Sequence, residues 1–343
     1  MHIVSITRTR NEGDILEVFV RHHCAFVDRM IIVDHRSQDN SREILQKLRG
    51  EGLPLDIRHD DGIAHRHGRV MTETARELMA APDPPDLLML LDADEFLVRN
   101  NGGSPRSVLE RSTGILGIPC RNYIPLPSDR KEELNILKRM THRRPAEDPQ
   151  WYKICVDGMT LARHPDACIV EGNHKMTSKD GADLPMEKSK ELVIAHFPVR
   201  TVDQILCKAY GGWFSHLSDP APVHGGAFQW KALLDTVRQG KRLDAEALTV
   251  IALEYATKRQ WDRLPSTFTG DLKHLRRTET PDQAPVQDPI PSLIDLRYRH
   301  YPADPRTVLL GTAEGLAREH ARLLNELRTS GGDRTGHRKT NAR

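Results

Sequence analysis

The sequence predicts an α/β fold built on a mostly parallel central sheet flanked by helices, and three observations carry that prediction. The first 96 residues alternate short apolar runs with segments of helical period; the run Leu87 to Leu91 is uniformly apolar; and it passes straight into Asp92, Asp94 and Glu95. Unbroken apolar runs of this length mark strands buried on both faces, as in parallel sheets. Acids at the carboxyl end of such a strand stand where open α/β sheets bind ligands.

The elements follow in order. Ile3 to Thr7 is expected as a strand, and Glu12 to about Phe26 as a helix with Ile15, Val18 and Phe19 on one face. Met30 to Asp34 reads as a second strand, residues 40–49 as a helix, Leu53 to Arg58 as a third strand and Arg66 to Ala80 as a third helix. Three β-α units feeding a fourth strand imply parallel pairing with right-handed crossovers. Beyond Phe96 the pattern loosens. Gly114 to Cys120 is strand-like, residues 125–150 read as an insertion or loop, and Leu192 to Phe197 as a strand. Thr201 to Gln204 has the capping-box spacing that starts a helix.

The expected organisation is a main domain over 1–215, with a regular α/β half (1–100) and a looser half (101–215). A helical extension (216–280), a proline-rich linker (281–305), a C-terminal helix (306–329) and a disordered basic tail (330–343) follow. Leu309, Leu316, Leu323 and Leu327 align on that last helix, which suits packing or self-association.

Composition narrows the function. At 38% hydrophobic and 29% charged, the 343 residues are those of an ordinary soluble globular protein. A net charge of +2 gives no support to bulk nucleic-acid binding. No apolar stretch reaches the roughly 18 to 20 residues that span a bilayer. The N-terminus enters a strand pattern at once, without the features of a signal peptide. Five scattered cysteines without CxxC spacing argue against disulfides or structural zinc and for a reducing, cytoplasmic setting. The basic tail offers a weak contact to a membrane surface.

Four segments carry chemistry. In the acid cluster, residues i and i+2 of an extended segment face the same side, so Asp92 and Asp94 are expected to converge on one cation. Three acids in four positions repel one another without such a cation. The competing reading is a strand ending in a polar turn. Arg10-Asn11-Glu12 follows the first strand; Asn11 suits a helix cap and also a ligand contact. Asp34 follows the second strand directly, where a carboxylate can accept hydrogen bonds from a base or ribose. His196 ends a strand just before the capped helix, with Lys208 two turns along it.

Arg10-Asn11-Glu12, Asp34 to Asp39, Leu91-Asp92-Ala93-Asp94-Glu95-Phe96-Leu97 and His196-Phe197-Pro198 with Lys208 together resemble the family 2-type glycosyltransferases of GT-A fold, in the branch whose acid motif reads Asp-Ala-Asp-Glu-Phe. The resemblance covers residues 1–100 and 190–210, and implies a catalytic domain over 1–215 with a nucleotide half at 1–100 and an acceptor half at 101–215. It implies transfer of a sugar from a nucleotide-sugar to an acceptor hydroxyl, with inversion and a divalent cation, Mn²⁺ or Mg²⁺, at the diphosphate. Asp92 and Asp94 are then the Asp-x-Asp acids, with Asp94 also counted as catalytic. His196 becomes a third metal ligand or a diphosphate contact. Asn11, Glu12, Asp34, Lys208 and Arg69 (or Arg66) would serve the nucleotide. For the base that inversion requires, Asp157, Glu171, Asp180, Asp183 and Glu187 all lie in the acceptor half, and Glu171 is the preferred candidate because a polar cluster there interrupts β-like segments. One departure stands at His35-Arg36, where the family has glycine or asparagine before the serine. Family habit points to cell-envelope or extracellular polysaccharide synthesis. Two other readings compete: a non-catalytic nucleotide-sugar-binding scaffold, and a haloacid-dehalogenase-like phosphatase, which normally carries its Asp-x-Asp on the first strand.

Overall fold

A computed structural model describes residues 1–64, 66–219, 228–239, 243–257, 284–298 and 303–332. The chain begins with β1 (Ile3–Thr9), α1 (Leu16–His23), β2 (Arg29–Asp34), α2 (Ser41–Gly50), β3 (Leu55–His59), α3 (His67–Met79) and β4 (Leu87–Asp92). β5 (Glu95–Arg99), α4 (Arg106–Leu109), β6 (Ile115–Asn122), α5 (Ile136–Arg139), β7 (His142–Arg143), β8 (Tyr152–Asp157) and α6 (Gly158–Arg163) follow. Next come β9 (Cys168–Ile169), β10 (Met176–Thr177), β11 (Glu187–Lys188), β12 (Leu192–His196) and α7 (Val202–Leu217). The described chain ends with α8 (Phe228–Arg238), α9 (Ala245–Glu254), β13 (Val286–Gln287) and α10 (Pro305–Gly332).

The central sheet has the order β3-β2-β1-β4-β8-β6-β12-β5, with β11 beside β6. The first four strands pair in parallel, as the β-α alternation predicts. β8 is antiparallel to both β4 and β6, while β12 is parallel to β6 and antiparallel to β5. Only Ala93 and Asp94 separate β4 from β5, yet three strands lie between them in the sheet. The sheet therefore curls until its β5 end comes back towards the carboxyl end of β4.

Burial on both faces explains the uniform apolar run. Leu87, Met89 and Leu91 pack with Ile15, Phe19, Leu45 and Leu48 under α1 and α2. Leu88 and Leu90 face the other way, onto Met71, Ala75 and Leu78 of α3. Alternate side chains of one strand thus serve two helical layers.

Two expected stretches differ in detail. Residues 125–150 are packed: Ile136, Leu137 and Met140 are buried, and β7 pairs with β13. Asn135 caps α5 through Leu137 N–H and donates to Ile294 O at 3.0 Å, tying this stretch to the proline-rich segment. The C-terminal helix runs on to Gly332 and buries Val308, Thr312 and Gly315, while Leu309 and Leu316 are half-buried and Leu323 is 46% exposed. The rest of the expected tail, 333–343, lies outside the described residues, as do 220–227 and 258–283 of the expected extension and linker. All five cysteines are free. Among the described residues no helix is long and apolar enough to cross a membrane.

Candidate active site

Parallel strands end at one edge of a sheet, so β1, β2, β4, β6 and β12 deliver their carboxyl ends to the same side. Register makes this concrete: Arg8 stands beside Asp92, Thr9 beside Asp34, and His196 beside both Asn122 and Glu95. β8 runs the opposite way and brings Lys153, near its amino end, to that edge. A cleft of about 420 Å³ opens there, lined among others by Arg10, Asp92, Asp94, Lys153, His196 and Lys208.

Asp92 ends β4, but Asp94 lies in the turn before β5, so the two acids do not share an extended backbone. They reach different cations. Asp92 Oδ2 accepts from Lys153 Nζ at 2.6 Å, and Asp94 Oδ2 from Lys208 Nζ at 2.5 Å. Lys153 also lies 3.0 Å from Glu95 Oε1, and Glu95 Oε2 accepts the Asp92 N–H. Lys208 also lies 3.0 Å from Glu12 Oε1. The remaining oxygens face imidazoles: Asp92 Oδ1 is 3.4 Å from His67 Nε2, and Asp94 Oδ1 is 3.7 Å from His196 Nε2.

His196 is oriented by its neighbours. Its Nδ1 lies 2.9 Å from Asn122 Oδ1, which can only accept, so Nδ1 carries the proton and Nε2 turns its lone pair towards Asp94. Asn122 is itself clamped by Glu147, which accepts both its backbone N–H and its Nδ2–H.

Electrostatics follow burial and pairing. Burial opposes ionisation of Asp92, but Lys153, His67 and His196 together outweigh it and hold the carboxyl below its usual range. Burial likewise opposes Asp94, which Lys208, His196 and Arg200 keep low. Glu95 is pushed up to about 8, first by burial and then by its two neighbouring acids. Burial lowers His67 and His196 to about 4, leaving both neutral near pH 7.

The other expected residues divide. Glu12 is buried at the cleft wall and binds Arg200 and Lys208, so its carboxylate belongs to the ion network around Asp94. Asn11 lines the cleft at a φ of 55°, a left-handed conformation that asparagine tolerates. Its Oδ1 accepts the Gln38 N–H at 2.6 Å, joining the turns after β1 and β2. Asp34 is fully buried beside the cleft rather than in its wall; Arg42 holds Oδ2 at 2.5 Å while Oδ1 has no hydrogen-bond partner. Arg69 pairs with Glu73 on the exposed face of α3, and neither it nor Arg66 lines the cleft. Glu171 Oε1 accepts the Gly68 N–H at 3.0 Å in the first turn of α3. A Cβ on Gly68 would lie 2.6 Å from Ile169 O, so only glycine permits that approach. Glu171 is not a lining residue of the cleft.

Several groups at the site escaped the sequence reading. Lys153 left one signal, a lone charge opening the apolar run Tyr152 to Val156. Arg200, with its side chain fully buried, binds Asp14 at 2.7 and 2.8 Å and also Glu12; nothing local reveals a partner 186 residues away. Thr201 accepts the Gln204 N–H as the capping box requires, while the Gln204 side chain accepts from the Arg200 N–H.

The donor chemistry of two carboxylates and an imidazole suits a divalent cation, with one oxygen of each acid not held by a lysine. Among the described residues, no three His, Cys, Asp or Glu side chains form a ready-made metal cage. Any ion held here would need ligand oxygens to complete its shell.

No protein-family model matches the chain, and no curated protein sequence matches it. Among solved structures it is similar to a mannosyltransferase, PcManGT, from Pyrobaculum calidifontis, solved with GDP-Man and Mn²⁺: 14% identity, 76% of this chain and 82% of that one, TM-score 0.36. It is also similar to glucosyl-3-phosphoglycerate synthase from Mycobacterium tuberculosis with Mn²⁺ and UDP, at 14% identity, covering 35% of this chain and 44% of that one with a TM-score of 0.25. A putative glucose-1-phosphate thymidylyltransferase from Bacillus anthracis matches at 10% identity over 48% of this chain and 75% of its own, TM-score 0.29. Likenesses this distant assign no activity.

Proposed function

We propose that the chain is a glycosyltransferase that binds a nucleotide-sugar at the carboxyl edge of its sheet, with Mn²⁺ or Mg²⁺ at the diphosphate, and passes the sugar to an acceptor hydroxyl. One observation carries this reading. Asp92 and Asp94 each present one oxygen not held by a lysine to a neutral imidazole in a shared cleft, and His196 is fixed with its lone pair facing Asp94. Asp92, Asp94 and His196 would hold the metal. Bound there, the metal would offset the charge developing on the departing nucleoside diphosphate. Lys208, two turns into α7, adds a fixed cation beside Asp94.

Inversion at the anomeric carbon, a hexose donor and a cell-envelope acceptor remain parts of this proposal that rest on the sequence resemblance alone. Glu171 gains no support as the base, because its Oε1 is engaged at the start of α3 and it does not line the cleft.

A thermal-shift panel of UDP-, GDP-, CMP- and dTDP-sugars, with and without Mn²⁺, tests the reading. Metal-dependent stabilisation by one nucleotide class is expected, lost in Asp92→Ala and Asp94→Ala. If no nucleotide shifts the wild type, or the double variant responds as the wild type does, the reading fails. A second reading, a nucleotide-sugar-binding protein without turnover, draws on the lysines already seated on both acids. It predicts stabilisation unaffected by EDTA and no sugar transfer or release. Hydrolysis of simple phosphate esters in place of sugar-nucleotides would favour the phosphatase instead.

A further inference from the structure

Four basic side chains, those of Arg8, Arg10, Lys153 and Lys208, line the cleft. Three of them are neutralised: Arg8 by Asp60 at 2.7 Å, Lys153 by Asp92 and Glu95, and Lys208 by Asp94 and Glu12. Arg10 is different. Its Nη1 donates to Ser215 Oγ at 2.8 Å and its Nη2 to Thr312 Oγ1 at 3.1 Å, both uncharged acceptors. Its Nε–H is buried without a hydrogen-bond partner. Among the described residues no carboxylate lies within ion-pair distance of it. Asp34 acts on it only at longer range, with one oxygen already taken by Arg42.

An uncompensated cation in a low-dielectric wall is costly, and it is kept where a ligand supplies the missing charge. Burial, then the neighbouring charges of Arg36 and Arg8, lower Arg10 to about 10, so it is still a cation at neutral pH. A guanidinium has five N–H donors in a fixed fork that matches phosphate geometry. Two serve Ser215 and Thr312, which leaves the rest for an anion.

The second acceptor comes from an unexpected quarter, α10. The Thr312 hydroxyl donates to Val308 O at 2.7 Å, which points its lone pairs at Arg10. The same helix face is stripped of side chains beside the turn after β2. A Cβ on Gly315 would lie 2.5 Å from Arg36 Nη2, and one on Gly311 would run into the Gln38 amide. Cys207 Sγ, on α7, reaches Ala303 O at 3.3 Å just before the helix begins. The C-terminal helix is thereby seated against α7 and the turns after β1 and β2, with one polar group delivered to the cleft wall.

We propose that α10 is a component of the ligand site: Thr312 fixes the Arg10 guanidinium in the cleft wall, where Arg10 binds a phosphate group of the ligand. The anion is a phosphate of the nucleotide-sugar if the function proposed above holds, and the inference rests on that reading for the ligand's identity only. Arg10 is a binding residue, and Thr312 is a positioning residue acting through it.

The test uses the full chain in EDTA, so that no metal contributes, with pyrophosphate, a nucleoside diphosphate and the matching nucleoside as probes in calorimetric titrations. Arg10→Ala should weaken pyrophosphate and nucleoside diphosphate roughly 10- to 100-fold while leaving nucleoside binding unchanged. Arg10→Lys should recover only part, since it keeps the charge and loses the fork. Thr312→Val should weaken the same two probes by a smaller factor, with Thr312→Ser restoring them; a merely structural threonine would not separate the phosphorylated probes from the nucleoside. Pyrophosphate binding equal in wild type and Arg10→Ala, or absent from the wild type, overturns the proposal. Thr312→Val equal to wild type removes the helix from the site. If pyrophosphate binds through Arg10 but no nucleotide-sugar does, the anion site stands and the glycosyltransferase reading falls.

Discussion

Asp92 and Asp94 are two positions apart, yet they belong to two ion clusters of different construction. The first joins Asp92, Glu95 and Lys153, drawn from β4, β5 and β8 of the sheet itself. The second joins Glu12, Asp14 and Asp94 to Arg200 and Lys208, reaching from the sheet to the start and middle of α7. With Glu95 raised to about 8, the first cluster holds one charged acid against one lysine near neutral pH and is balanced. The second sets three acids against two cations, and Glu12 is raised first by burial and further by Asp94 and Asp14, against the pull of Arg200 and Lys208. The two-residue turn of Ala93 and Asp94 therefore divides a cluster that completes itself from one richer in acids than in cations. The difference teaches where an added cation would be welcome: at Asp94, on the His196 side.

The largest effect expected from this contrast is on stability. Lys153→Met leaves the buried Glu95 and the partly exposed Asp92 without their shared cation and should cost about 3 kcal/mol, read by urea denaturation at pH 7.5. Lys208→Met should cost only about 1–2 kcal/mol, because Arg200 still faces Glu12 and Lys208 is one-fifth exposed. Equal losses would erase the distinction between the clusters.

A smaller effect is expected in the shell behind His196. Asn122→Ala frees the imidazole to rotate and to change tautomer, and should weaken Mn²⁺ binding roughly 10- to 100-fold in a calorimetric titration. Folding stability should move little compared with Lys153→Met. An Mn²⁺ affinity unchanged by Asn122→Ala would mean that His196 is not a ligand.

Legibility in the sequence tracks how local each interaction is. The parallel half of the sheet was readable because strand burial writes itself into consecutive residues, as in Leu87 to Leu91. The capping box at Thr201 was readable because its partner is three residues away. The convergence of Asp92 and Asp94 through an extended backbone did not survive, because β4 ends at Asp92 and the chain turns. Lys153, Arg200 and Arg10 were opaque for a common reason. Each is defined by a partner 61 to 302 residues distant, brought in by β8, α7 or α10. Arg69 was drawn in by the family resemblance, while on α3 it stands on the exposed face and pairs with Glu73.

The smallest expected change is the most discriminating. Glu95 has its folded pKa raised to about 8 from an ordinary value near 4.5, with burial the leading cause. Between those values the folded chain keeps a proton that the unfolded chain has released, so this group's contribution is fully present below pH 4.5 and is lost as pH rises through about 8. Glu95→Gln carries a permanently neutral amide whose oxygen can still accept the Asp92 N–H. Below pH 4.5 it should therefore lie within about 1 kcal/mol of wild type, since a neutral group then replaces a neutral group in the folded and the unfolded chain alike. Between pH 4.5 and about 8 the variant should gain steadily on the wild type, having no proton to lose, and above pH 8 it should keep that lead unchanged. A penalty of about 3 kcal/mol or more at pH 6.5 would instead identify Glu95 as an ionised partner of Lys153. The first cluster would then carry two charged acids on one lysine, a surplus like that around Asp94, and both acids of the motif would have an equal claim on an added cation.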